Sequence, residues 1–156
     1  QQIVVLEQNS FLFQERPVPA DIQIRPMTEA DLPAVTAVDH AGFDRLWRNS
    51  LATLRLGYSQ VGFATVAQRN NEIMGYQIST RNSFGVHLAR LAVVPSQQRH
   101  GIGYCLVQDL FNRTRLAGLS RLTVNTQNDN RASLALYQKM GFILTGERYT
   151  VFTCRL

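Results

Sequence analysis

The chain has 156 residues, 45% of them hydrophobic and 17% charged, with a formal net charge of +5. That size and balance suit one domain with a sizeable core and exclude a disordered chain. No segment holds the roughly eighteen unbroken apolar residues of a membrane span, and the 16 Lys and Arg are scattered, not interleaved with aromatics as a single-stranded nucleic-acid groove requires.

In chain order, Ile3-Val4-Val5-Leu6 reads as a strand, too short and without the basic lead of a signal peptide. Phe11-Leu12-Phe13 fits a second strand, and Arg16-Pro17-Val18-Pro19-Ala20 reads as a linker. Residues 1–20 thus form a strand and linker ahead of a main domain at 21–156, and two readings fit them: the last strand of a preceding domain, or an extra edge strand of this one. Ile22-Gln23-Ile24-Arg25-Pro26 alternates like a half-buried strand. A helix follows, with Asp31 at its cap and Pro33 in its first turn, where the missing N–H costs nothing. The spacing predicts a second helix from Arg45, with Trp47, Leu51, Leu54 and Tyr58 on one stripe.

Phe63-Ala64-Thr65-Val66-Ala67 and Ile73-Met74-Gly75-Tyr76-Gln77-Ile78 flank Asn70-Asn71-Glu72, a hairpin pattern. A turn at Arg81-Asn82-Ser83 leads into Leu88-Ala89-Arg90-Leu91-Ala92-Val93-Val94, an apolar strand that stops at Pro95. Then comes the loop Gln98-Arg99-His100-Gly101-Ile102-Gly103, and from Gly103 a helix with Leu106, Val107, Leu110 and Phe111 on one face. A loop that turns into a helix start aims unpaired N–H groups at one spot, where the helix dipole favours phosphate. Gly101 and Gly103, without Cβ atoms, let an anion approach the main chain. A dinucleotide fingerprint would need Gly or Ala where Leu106 stands, and a Walker loop would need Gly-Lys-Ser/Thr, which does not occur.

After this helix, Arg121-Leu122-Thr123-Val124-Asn125 reads as a strand reached by a helical crossover, hence parallel to its predecessor. A helix over residues 131–140 ends at Gly141, and residues 142–144 and 149–154 supply two final strands. Cys105 and Cys154 lack metal-ligand spacing and read as buried thiols in a reducing cytoplasm, so no metal site is expected.

Gln98-x-x-Gly101-x-Gly103 after Leu91-Ala92-Val93 resembles the acyl-CoA signature of the Gcn5-related N-acetyltransferase (GNAT) superfamily. The block from Asn130 through Leu136-Tyr137 to Gly141-Phe142 is similar to that superfamily's later motif, and together the resemblance covers the chain from about Ile22. It implies an α/β (α+β) GNAT fold: a mixed, mostly antiparallel sheet of about seven strands with a parallel central pair, and four helices on both faces. The implied activity is transfer of the acetyl group of acetyl-CoA to a primary amine, by direct attack in a ternary complex. The alternative is a non-catalytic acyl-CoA-binding or sensing module. Implied partners are acetyl-CoA and an amine acceptor, small molecule or peptide, with neither nucleic acid nor membrane; a homodimer or a preceding domain also fits.

The resemblance implies that backbone groups of Leu91, Ala92 and Val93 pair with the pantetheine arm and that Gln98, Arg99, His100, Gly101, Ile102, Gly103 and Tyr104 hold the pyrophosphate. Asn130 matches a side chain that touches the cofactor arm, and Tyr137 matches the family's usual general acid. A phenol is protonated at neutral pH and can hand its proton to a departing thiolate. The glutamate that serves as base in ribosomal-protein alanine acetyltransferases is matched by Asn125, which cannot accept a proton at neutral pH. His87, eleven residues before Gln98, matches the second place where the superfamily carries a base and is the candidate base here, with water the alternative. The helices of the first half form one wall of the acceptor site in the resembled fold. Phe43, Trp47 and Tyr58 are its candidate contacts, although core packing is the commoner use of such a stripe, and Asp39 and Asp44 are its nearest acids.

Overall fold

The computed structural model describes residues 1–152. Its seven strands are β1 (Gln2–Gln8), β2 (Gln23–Pro26), β3 (Phe63–Arg69), β4 (Glu72–Asn82), β5 (Gly85–Val93), β6 (Leu122–Gln127) and β7 (Ile143–Thr150). They form one sheet in the order β2-β3-β4-β5-β6-β1-β7. Every neighbouring pair is antiparallel except β5 and β6. Helices α1 (Leu32–Gly42) and α2 (Leu51–Ser59) pack on one face against Val66, Tyr76, Ile78 and Ala92. Helices α3 (Ile102–Leu116) and α4 (Arg131–Lys139) cover the other, over Val4, Leu6, Val86, Leu88, Leu122 and Val124. The α/β architecture expected from sequence, with its parallel central pair and two helices on each face, is the one observed.

Local chemistry accounts for the boundaries. Asn70 and Asn71 take φ of 46° and 66°, the left-handed pair that a two-residue hairpin turn between β3 and β4 needs. Asp31 stands at the α1 cap position, but its carboxylate accepts the Thr28 N–H at 2.7 Å and pairs with Arg25 at 2.7 Å, tying β2 to the helix start. The second helix begins at Leu51, not at Arg45. Ser50 caps it by accepting the Thr53 N–H at 3.1 Å, and the Asn49 N–H is drawn to Asp39 at 2.8 Å, which leaves residues 45–47 as a single 3-10 turn.

The N-terminal segment departs further from expectation. Strand β1 lies inside the sheet, between β6 and β7, and not at an edge. Val4, Val5 and Leu6 are all buried, so both faces of the strand are covered, which is why the run is continuously apolar and does not alternate. Phe11 and Phe13 form no strand. Residues 9–20 instead cross α3 as a strap: the Phe13 ring stacks 4.8 Å from Phe111, Phe11 meets the same ring edge-on at 5.1 Å, and the Gln108 side chain accepts the Arg16 N–H and donates to the Arg16 carbonyl, both at 2.8 Å. At the other end, β7 runs unbroken through the gap between the two strands expected there; residues 153 and 154 of the second, with Cys154, lie outside the described residues. Cys105 is a buried free thiol in α3. No helix among the described residues is long and apolar enough to cross a membrane.

If β1 is an integral strand, Leu6→Ala removes a side chain with no exposed surface and costs about 3 kcal/mol in urea unfolding. Leu12→Ala, in the strap and 77% exposed, stays within about 0.5 kcal/mol of the parent protein.

Candidate active site

Strands β5 and β6 pair only from Val86↔Leu122 to Leu88↔Val124. Beyond Leu88, β5 follows β4 and β6 follows β1, and a bulge at Ala89, where the β4–β5 register shifts, bends β5 away. The strands part and leave a cleft of about 160 Å³. Leu88, Ala89, Arg90 and Leu91 line one side and Val124, Asn125, Thr126 and Gln127 the other. Asn130, Ser133 and Tyr137 of α4 close it from one face of the sheet, Phe43 and Trp47 from the other. Side chains from both faces of the sheet thus meet at the cleft.

The α4 side carries a proton donor. Tyr137 is 4% exposed and lines the cleft, its hydroxyl has no hydrogen-bond partner among the described residues, and burial pushes its phenol well above its ordinary value. The ring packs on Phe142 with centroids 5.4 Å apart, which fixes its direction. Asn130 caps α4, accepting the Ser133 N–H at 3.1 Å, donates its Nδ2 to Gln127 Oε1 at 3.5 Å, and lines the cleft.

The opposite side is built on Asp39 of α1, which is completely buried. Its carboxylate accepts from the Tyr76 hydroxyl, from Arg90 Nε at 2.8 Å and from the Asn49 N–H at 2.8 Å. Burial alone would raise this carboxyl, but the hydrogen bonds from Arg90, Tyr76 and Asn49 outweigh it and hold the group below the usual carboxylate range. Burial, and then the hydrogen bond to Asp39 and its charge, push the Tyr76 phenol far up. The Arg90 guanidinium also donates to the Trp47 carbonyl and lies 3.5 Å from the centroid of the Phe43 ring. The loop between α1 and α2 is thus pinned to β5.

The phosphate loop lies farther along β5. From Leu91 to Val94 the chain rises roughly 10 Å, and then Gln98 returns to β5 by donating to the Val93 carbonyl at 3.0 Å. Arg99 at φ 65° and Gly101 at φ 84° turn the chain into α3. A Cβ on Gly101 would meet nothing within 4 Å, so the space above that backbone is open, and the N–H groups of the first turn of α3 face it without helical partners. Arg99 and His100 are exposed beside it. This geometry fits an anion at the helix start and an extended arm along the unpaired edge of β5 at Leu91, Ala92 and Val93.

The sequence-derived residues separate into groups. Leu91, Asn130 and Tyr137 meet at the cleft; Gln98, Arg99, His100, Gly101, Ile102 and Gly103 form the loop and helix start. Tyr104 offers its backbone only, since its hydroxyl donates to the Gln14 carbonyl and Arg16 lies 4.4 Å over its ring. His87 precedes the opening, half-buried, with Nδ1 2.9 Å from the Thr123 hydroxyl; it does not line the cleft, and burial pushes its imidazole below the ordinary 6.5. Phe43 and Trp47 line the cleft, whereas Tyr58 bonds the Met27 carbonyl and packs in the core. Asp44 is exposed and Asp39 is spent on Arg90, so neither acid reaches the lining. Arg90 went unmarked in sequence because its partner lies 51 positions away. No cluster of potential metal ligands occurs among the described residues.

A cleft between two parting parallel strands, followed along a free strand edge by an open helix start, is an arrangement suited to a transferase that holds an extended, anionic donor. The chain belongs to the Acetyltransferase (GNAT) family, whose model matches residues 25–142. It is 24% identical over 119 residues to the [Ribosomal protein bS18]-alanine N-acetyltransferase of Escherichia coli K12, covering 76% of this chain and 79% of that protein. The crystal structure of the E. coli ribosomal-protein-S18-alanine N-acetyltransferase superposes with a TM-score of 0.71 at 22% identity, over 77% of this chain and 76% of that one. N-acetyltransferase family 8 member 3 of Mus musculus is 34% identical over 71 residues, 46% of this chain, and the match spans only 31% of the mouse protein. PaiA N-acetyltransferase from Thermoplasma acidophilum, solved in complex with coenzyme A, has a TM-score of 0.69 at 15% identity over 76% of this chain and 87% of that one.

The Asp39–Arg90 pair yields a thermodynamic test. Asp39→Ala strands a buried guanidinium and costs about 3 kcal/mol, while Asp39→Ala combined with Arg90→Met costs less than the single change, so the cycle measured by chemical denaturation shows a coupling of opposite sign to the two losses.

Proposed function

We propose that the chain transfers the acetyl group of acetyl-CoA to a primary amine by direct attack within a ternary complex. The observation that carries this reading is the Tyr137 hydroxyl, held in the cleft without a partner among the described residues, on the opposite side of the sheet from the Phe43 and Trp47 wall. In this reading the first turn of α3 takes the pyrophosphate, the free edge of β5 orders the pantetheine arm, and a main-chain N–H there polarises the thioester carbonyl. The amine enters from the Trp47 side and attacks the carbonyl carbon. As the C–S bond breaks, Tyr137 donates its proton to the sulfur. Burial suits it to that part, because the phenol stays protonated throughout the neutral range.

Deprotonation of the amine falls to His87 acting through water. Its pKa lies below the ordinary value, which favours the neutral imidazole at pH 7, and in the tautomer that donates Nδ1–H to the Thr123 hydroxyl, Nε2 is the free acceptor. A second reading, a module that binds acyl-CoA without turnover, draws support from Asn125, an exposed amide in the lining where a carboxylate base would stand. Such a module has no use for a buried, unpartnered phenol.

Tyr137→Phe separates the two. For an acetyltransferase, kcat with a responsive amine falls at least about tenfold while acetyl-CoA affinity by calorimetry is retained; tight binding with no turnover by the parent protein across an amine and peptide panel would favour the binding module. The pH profile of kcat/KM reports on His87. Activity falls as pH drops through a midpoint below 6.5, because protonation removes the acceptor, and His87→Gln abolishes that limb. A limb that persists in the variant would exclude His87 as the base.

A further inference from the structure

Among the described residues that line the cleft, Arg90 is the sole charged side chain. Its counter-ion does not share the cavity. Asp39 lies behind it, completely buried, with Oδ1 taken by the Asn49 N–H and Oδ2 by Tyr76 and Arg90 Nε. A guanidinium has five N–H donors in a fixed fork. Nε is spent on Asp39 and Nη2 donates to the Trp47 carbonyl; Nη1 has no partner among the described residues, the side chain is 17% exposed, and Arg90 is part of the cleft lining. The Phe43 ring against the guanidinium plane and the Asp39 bond leave it little freedom to turn away.

A polycationic acceptor finds no acid in this lining, and its charges would stand against Arg90. A carboxylate finds a donor already oriented and partly desolvated. We infer that Arg90 is the specificity residue of the acceptor site and that the acceptor is a primary amine bearing a carboxylate, which Arg90 Nη1 receives beside the Trp47 wall. The inference rests on the acetyl-transfer reading for the identity of the acceptor, and the carboxylate could be the α-carboxylate of a free amino acid or an acidic side chain of a short peptide.

The experiment compares kcat/KM for matched pairs with acetyl-CoA as donor. Alanine against alaninamide tests an α-carboxylate, and Ala-Asp-Ala amide against Ala-Asn-Ala amide tests one carried by the next residue. The parent protein is expected to prefer the carboxylate member of one pair by at least about tenfold. Arg90→Gln combined with Asp39→Asn, which removes both charges and leaves neither buried alone, should bring that ratio to within about twofold, with calorimetric acetyl-CoA binding as the check that the variant is folded. Arg90→Lys keeps the charge but loses the fork, and serves where the double variant does not fold; it should lower the ratio at least about threefold. A parent ratio near one in both pairs, a preference for the neutral member, or a ratio unchanged in a folded variant would each overturn the assignment. Absence of turnover with every amine would count against the proposed function alone. Calorimetry of the CoA-loaded protein with N-acetylalanine against N-acetylalaninamide, and with the N-acetylated peptide pair, then decides Arg90: a carboxylate preference lost in the variant upholds its role, and equal binding or none of either member overturns it.

Discussion

A parallel strand pair is held by evenly spaced hydrogen bonds, and β5 and β6 keep theirs only from Val86↔Leu122 to Leu88↔Val124. Past that point each strand has a better-anchored partner on its far side: β4 pairs with β5 as far as Val93, and β1 pairs with β6 as far as Gln127. The opening is therefore stable, because neither strand depends on the other there. It leaves main-chain groups of β5 without a strand partner in the middle of a sheet, a costly vacancy unless water or an extended ligand fills it. The pantetheine arm of the proposed donor would meet that requirement, and the open backbone at Gly101, ahead of α3, follows β5 in the chain.

On the opposite side of the sheet the same parting is stiffened by one buried carboxylate. Asp39 gathers a tyrosine of β4, an arginine of β5 and the main chain of the loop after α1. β4 and β5 are already paired in the sheet, so what the network adds is the tie from that strand pair to α1 and to the loop after it. Phe43 and Trp47 line the cleft because the loop that carries them is tied at Asn49, at the Trp47 carbonyl and across the face of Phe43.

Much of this was legible in the sequence because it is local. The hairpin at Asn70-Asn71, the loop ahead of α3, the parallel crossover and the helix bearing Tyr137 each depend on residues a few positions apart. What escaped depends on distant pairings. Trp47 shares a helical stripe with Leu51 and Leu54, and the later start reflects both the Ser50 cap and the distant pull of Asp39 on Asn49, of which only the first is local. Phe11-Leu12-Phe13 has strand propensity, yet Phe111 offers two rings a buried stacking surface that no strand partner matches. Strand β1 was visible as a strand, but its slot beside β6 was not, since a short apolar run does not state its neighbours. Its lack of alternation was the available signal that both faces are covered.

Under the proposed acetyl transfer to a carboxylate-bearing amine, the charge pattern in the cleft bears on the deprotonation step, for which the lining holds no carboxylate. An amine attacks only when neutral, and an amine that carries its own carboxylate is the harder to deprotonate, because the negative charge a few bonds away stabilises the ammonium. A carboxylate paired with Arg90 gives up most of that stabilisation, since its charge is neutralised where the local dielectric is lower than that of water. Asp39 cannot undo the effect by drawing the ammonium to itself: it is buried behind the guanidinium and its oxygens are already engaged. In such a site a strong base is less necessary, and an amide at position 125 and a half-buried imidazole outside the lining become compatible with turnover.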